Sequence, residues 1–207
     1  MKLSNRIYRT DLLKWILNVL ILLGVFACSE KTSRKEKAQK TNVLLINIDD
    51  LGWKDLGCMG NDYHETPNID KLASEGMVFT NGYAGAANCA PSRACLMSGQ
   101  TTSRHGIFTV GNSDRGNAKT RRIIPTPNNT ELPDSTITMA EMFKMAGYTT
   151  ATMGKWHLGE DAKTQGFDVN VAGSHNGSPG KGGYFSPYKL KYLKEGPKGE
   201  HLADRLT

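Results

Sequence analysis

One hexapeptide limits the fold of this chain more than any other segment: Val43-Leu44-Leu45-Ile46-Asn47-Ile48 is an almost unbroken aliphatic run. A strand with no polar face is covered on both sides, which is the situation in a parallel sheet flanked by helices. Asp49 and Asp50 follow at once, at the strand's carboxyl end. Downstream, helix and strand signals alternate. Thr66-Pro67 opens a helix with Thr66 as N-cap, and Gly76 closes it; Met77 to Tyr83 reads as a second extended segment. Pro91 to Ser98 reads as a helix ending at Gly99, with Cys89 just ahead of its first turn.

Residues 111 to 134 form a long Asn-, Pro- and charge-rich loop. Thr138 and Glu141 then make a capping box, with Met139, Met142, Phe143 and Ala146 on one helix face and Gly147 as the stop. Tyr148 to Met153 returns as a strand and delivers Gly154-Lys155-Trp156-His157 at its end. In an extended segment Lys155 and His157 point to one side and Trp156 to the other. Gly173 to Tyr184 is a glycine-rich loop. Alternating elements of this kind predict an α/β fold with a mostly parallel sheet, whose ligands gather beyond the strands' carboxyl ends. Asp49, Asp50, Lys155 and His157 all fall there.

The chain has 207 residues and a formal charge of +6. Residues 1 to 27 hold four Lys/Arg against one acid, and residues 28 to 40 hold five against two, leaving 17 of each sign in the body. The basic balance therefore belongs to the leader, and the body offers no nucleic-acid motif. Lys2, Arg6, Arg9 and Lys14 precede an apolar run from Trp15 to Val25, the anatomy of an export signal. The run is shorter than the roughly 20 apolar residues a spanning helix needs. Val25-Phe26-Ala27-Cys28 resembles a bacterial lipoprotein cleavage site, which implies a signal peptide over residues 1–27 and a lipid on Cys28. An uncleaved anchor or an ordinary secretory signal are the alternatives, and all three export the protein. Residues 28–41 are too polar to order themselves and read as a flexible tether. Of the four cysteines, Cys58 and Cys95 read either as a pair or as two small buried hydrophobes.

Cys89-Ala90-Pro91-Ser92-Arg93 matches the Cys-x-Pro-x-Arg signature of type I sulfatases. Asp49-Asp50-Leu51-Gly52 ahead of it and Gly154-Lys155-Trp156-His157-Leu158-Gly159 behind it extend the resemblance over residues 42–207. This resemblance implies an alkaline-phosphatase-like three-layer sandwich, of which the chain carries the N-terminal part of the catalytic domain. It implies that Cys89 is converted by a maturation enzyme to formylglycine, whose hydrate attacks the sulfur of a sulfate ester. Asp49, Asp50 and the modified Cys89 would ligate Ca²⁺, Arg93 would hold the hydrate, Lys155 would pair with sulfate oxygens and His157 would take a proton. The remaining calcium ligands, an Asp-Asn pair, and a second His and Lys would lie beyond residue 207, so the 207 residues alone are expected to be inactive.

The chemistry of the residues agrees. Adjacent carboxylates suit a hard cation such as calcium, and a sulfate ester needs cationic neutralisation and a nucleophile able to expel sulfate. His105, beside the signature, and His175, in the glycine-rich loop, are weaker pocket candidates. The substrate class the resemblance implies is a sulfated carbohydrate or aryl sulfate, met in the periplasm or at the outer-membrane surface. A phosphonate or phosphodiester hydrolase of the same superfamily and a catalytically inert lipoprotein are the competing readings.

Overall fold

A computed structural model describes residues 14–15, 40–181 and 183–207. Most of the leader, including Cys28 and nearly all of the expected tether, lies outside the described residues. Contacts divide the chain into Met1–Asn47 and Ile48–Thr207. In the first unit, residues 41–47 form no strand, and Val43, Leu44, Leu45 and Ile46 are exposed. The predicted strand over 43–48 is therefore corrected to unpaired backbone. An apolar run becomes a strand only when a neighbour accepts its hydrogen bonds, and no ladder partner lies beside it among the described residues.

The second unit is built around one parallel ladder, β1 (Ala151–Met153) against β2 (Val169–Val171), with Ala151 opposite Val169 and Met153 opposite Val171. This is the α/β arrangement with a parallel sheet that the alternating signals predict. Helices α1 (Pro67–Glu75), α2 (Cys89–Ser98), α3 (Thr102–His105), α4 (Met139–Met145) and α5 (Leu202–Leu206) complete it, with 3₁₀ turns at Gly57–Met59 and Ala162–Gln165. Met77 to Tyr83 forms no strand, and Met77, Phe79 and Tyr83 are exposed. The same lack of a neighbouring strand accounts for this second correction.

The capping box of α4 forms as read: Thr138 Oγ1 accepts from Glu141 N, and Glu141 Oε2 accepts from Thr138 N. The buried Thr138 hydroxyl also donates to the Gln165 carbonyl at 2.7 Å, fastening α4 to the Ala162–Gln165 turn. The apolar face assigned to α4 is less buried than its periodicity suggests. Met139 packs on the core and Ala140 is buried, but Met142 is exposed, so the helix docks along a narrower line. Thr66 does not cap α1: its hydroxyl accepts from Gly57 N and donates to Asp70 Oδ1, bonds that tie the 3₁₀ turn to the helix.

The core joins Ala90, Ala94 and Met97 of α2 to Ile107, Leu132, Trp156, Leu158 and Ala162, with Phe167 meeting the Trp156 ring edge-on at 5.7 Å. Small residues on one side of α2 let Trp156 approach the helix closely. Burying an aromatic of this size supplies a large share of the local stability, and its truncation costs about 3–5 kcal/mol. The core therefore locks the helix bearing Cys89 to the segment bearing Lys155 and His157. Cys58 and Cys95 are both free thiols, and Cys58 is exposed rather than buried.

Candidate active site

Cys89 is the first residue of α2, not a residue ahead of the helix, and is half-buried. The preceding Asn88 is extended, and its side chain does not cap the helix but donates to Thr109 Oγ1 at 3.2 Å. Unspent backbone N–H groups and the positive end of the helix dipole are thus available around residue 89. One turn further on, Arg93 turns back to the strand end. Its Nε donates to the Trp156 carbonyl at 2.9 Å, and its Nη2 donates to the Lys155 carbonyl. Burial pulls the guanidinium below its ordinary pKa, while the charges of Asp49 and Cys89 act in the opposite direction.

Beyond Met153 the chain leaves the strand. Gly154 has φ +89° and His157 has φ +63°. The extended backbone expected to run through His157 is therefore broken on both sides of Lys155-Trp156; Trp156 enters the core, and the Lys155 charge acts on the His157 ring. Left-handed backbone costs a non-glycine residue about 1–2 kcal/mol, and at His157 that strain is held by the Arg93 bonds and by His157 N donating to Ser174 O at 2.9 Å. Lys155 Nζ pairs with Asp49 Oδ2 across 106 residues of sequence. Asp50 sits in the same turn as Asp49, with φ +56°.

His157 is only 6 % exposed. Its pKa is lowered to about 4, first by burial and then by the positive charges of Lys155, His175 and Arg93, with Asp49 opposing. The imidazole is therefore neutral at physiological pH and able to accept a proton. Gly177 lies flat against it: a Cβ there would stand 2.6 Å from Cε1 and 2.9 Å from Nε2. Nothing in the sequence marks this glycine apart from its neighbours in the Gly173–Tyr184 loop.

Asp49 and Asp50 supply the oxygen donors a calcium ion prefers, and the Asp49 charge is felt at Arg93 of the Cys89 helix. Among the described residues no group of three His, Cys, Asp or Glu side chains is arranged to hold a metal. The two carboxylates fit calcium as part of a coordination sphere that takes about six to eight oxygens. His105 serves a different purpose: its Nδ1 accepts from Ile107 N at 3.1 Å, leaving the Nε2 hydrogen for Cys95 Sγ at 3.4 Å. That pair fastens α2 to α3 and faces the core.

Fold and site together define an α/β protein that brings an aspartate, a half-buried arginine, a lysine and a neutral histidine beyond a parallel strand, beside the helix that begins at Cys89. The chain belongs to the sulfatase family, whose model, described as Sulfatase, matches residues 41–205. It is 40% identical over 157 residues to the N-acetylgalactosamine-6-sulfatase of Homo sapiens, covering 74% of this chain and 28% of that protein. It is 39% identical over 172 residues to a sulfatase of Formosa agariphila, covering 77% of this chain and 31% of that protein. The solved structure of Ps i-CgsB superposes with a TM-score of 0.57 at 28% identity, covering 80% of this chain and 39% of that one. The fold is accordingly of the alkaline-phosphatase-like α/β kind, and the chain spans less than a third of the length of these two curated relatives.

Proposed function

We propose that the complete protein hydrolyses sulfate esters of sulfated glycans, with residue 89 as the nucleophile. The observation that carries this is the pair of hydrogen bonds from Arg93 to the Lys155 and Trp156 carbonyls, which fixes the Cys89 helix against the lysine and histidine of the strand end. A maturation enzyme with its own oxidant would convert Cys89 to an aldehyde with loss of the thiol sulfur; one hydroxyl of the aldehyde hydrate would attack sulfur and displace the sugar alcohol, and the other, once deprotonated, would re-form the aldehyde and expel sulfate. A calcium ion held by Asp49, Asp50 and the modified residue would supply positive charge to the sulfate oxygens.

The remaining work belongs to this chain's own side chains. Lys155, now paired with Asp49, has its ammonium at the site to meet sulfate oxygens. Arg93 keeps the Lys155–His157 segment in place and lowers the cost of an anion near residue 89. Neutral His157 takes the proton whose removal releases sulfate. The open N–H groups of α2 face the same anion.

A glycan as substrate is supported by relatives named N-acetylgalactosamine-6-sulfatase and by the likeness to Ps i-CgsB, solved in complex with k-i-k-neocarrahexaose. Residues 1–27 act as a lipoprotein signal peptide, residues 28–41 as a tether and residues 42–207 as the first part of the catalytic domain. Cys28 carries the lipid that holds the enzyme to the membrane of the periplasm or to the outer-membrane surface. Among the described residues no helix is long and apolar enough to cross a membrane.

Expression of the complete protein with its maturation enzyme tests this. Mass spectrometry of the peptide containing residue 89 should show the aldehyde, and Cys89→Ala should abolish aryl sulfate turnover. Faster turnover of aryl phosphate or phosphonate than of aryl sulfate, or full activity in the alanine variant, would overturn the proposal.

A further inference from the structure

We infer that His175, flanked by Glu131, is a specificity-determining contact for the uncharged, hydroxyl-bearing part of a sulfated sugar, an inference that rests on the sulfate-ester reading above. His175 Nδ1 is shielded from solvent and lies 3.6 Å from Glu131 Oε1, yet the side chain as a whole is 38% exposed. The accessible part of the imidazole is therefore the edge away from Nδ1, the edge that carries Nε2. This ring stands edge-to-face with His157, centroids 6.4 Å apart, so its open edge is within about one sugar ring's width of the proton-accepting group.

The position is fixed rather than incidental. His157 N donates to Ser174 O immediately before His175, and Gly177, two residues after it, lies against the His157 ring. His175 therefore cannot drift from the reacting centre without the loop releasing His157 at two points. At 3.6 Å the Glu131 carboxylate is beyond hydrogen-bond distance of Nδ1, but its charge favours the tautomer with the hydrogen on that nitrogen, which leaves the outer nitrogen as an acceptor.

Charge decides what binds there. The cations Arg93 and Lys155 lie around the start of α2, whereas carboxylates gather near His175. Glu131 is its neighbour. The Glu160 carboxyl is held below its ordinary pKa chiefly by its hydrogen bond and ion pair with Lys191, with the field of His175 adding to the effect. A sulfate or carboxylate on the substrate would be repelled beside Glu131. A hydroxyl is welcome, because it can donate to the carboxylate and pair with the imidazole at once. The geometry thus divides the site into a cationic part for the reacting sulfate and a part for neutral ring hydroxyls.

The test uses the complete, matured protein with 4-nitrophenyl sulfate and with the best substrate among N-acetylgalactosamine 6-sulfate, galactose 6-sulfate and galactose 4-sulfate. His175→Ala should lower kcat/KM for the sugar sulfate about ten- to a hundredfold, mainly through KM, the loss expected of one or two hydrogen bonds. Turnover of the aryl sulfate should stay within about twofold, since that leaving group has no hydroxyl to lose. His175→Gln should recover part of the loss, and Glu131→Ala should reproduce a smaller version of it. Should His175→Ala not fold, the glutamine and Glu131 variants carry the same comparison. Equal losses on both substrates, or unchanged sugar sulfate turnover, would overturn the inference. Aryl sulfate turnover with none on any sugar sulfate would overturn it while leaving the sulfatase reading intact, and an inert wild-type protein would sink both.

Discussion

Placing a single methyl group on Gly177 should disable His157 without unfolding the protein. An alanine Cβ would lie 2.6 Å from His157 Cε1, 2.9 Å from Nε2 and 3.2 Å from Nδ1. Ordinary carbon contacts sit near 3.5–4.0 Å, so ring and loop must separate by about 1 Å. The ring has little room to retreat, because the imidazole is buried and its backbone is bonded to Ser174. Overpacking of this kind costs about 1–3 kcal/mol in stability. A displacement of that size at a reacting group costs about a hundredfold in rate. Gly180→Ala is the control: its φ is +75° with nothing within 4 Å of the added atom, so it should cost about 1 kcal/mol of backbone strain and leave turnover unchanged. The assay is kcat on an aryl sulfate beside thermal unfolding of both variants in the complete protein. Equal activity of Gly177→Ala and wild type would refute the contact, and equal losses of activity in both variants would refute its specificity.

Thr138→Ala removes a helix cap and leaves the buried Gln165 carbonyl unpaired, so denaturant unfolding should show a loss of about 2–4 kcal/mol, with Thr138→Ser close to wild type. His157 has its folded pKa at about 4, below its unfolded value of about 6.5, so its neutral form favours folding fully above pH 6.5. That contribution, at most about 3 kcal/mol, should fade as pH falls from about 6.5 to about 4, and His157→Gln should flatten the stability profile there. Chelation of divalent cations should abolish turnover of the complete protein and lower its melting temperature, calcium restoring both; Asp49→Asn should raise the calcium needed at least about tenfold. Arg93→Lys, which keeps the charge but loses the two-pronged grip on the Lys155 and Trp156 carbonyls, should reduce kcat more than it raises KM for an aryl sulfate.

Much of the site was legible because its chemistry is written in local strings. Cys89-x-Pro-x-Arg93, the aspartate pair and Lys155-Trp156-His157 can each be recognised without knowing how they meet, and the ion pair between Asp49 and Lys155 and the Arg93 bonds show that they do. The capping box at Thr138 was equally readable, since its partners lie three residues apart. What failed depended on neighbours far along the chain. Residues 43–48 and 77–83 have strand composition, but a ladder needs a second strand, which composition does not reveal. The extended reading of Tyr148 to His157 held only over Ala151–Met153, since left-handed backbone at Gly154 and at His157 ends the pleat that the alternation assumed. Gly177 and Glu131 escaped notice because a close approach across twenty or more residues leaves no period in the sequence.

The deeply packed indole at position 156 sits between Lys155 and His157, so the segment that carries these two candidate site residues is held by a single anchor at its middle. Attempts to harden this protein by refilling the space around that ring would shift the lysine and the imidazole in the same stroke. Durability engineered in the Thr138 region, which holds α4 to its turn rather than the reacting groups, would leave the chemistry where it stands.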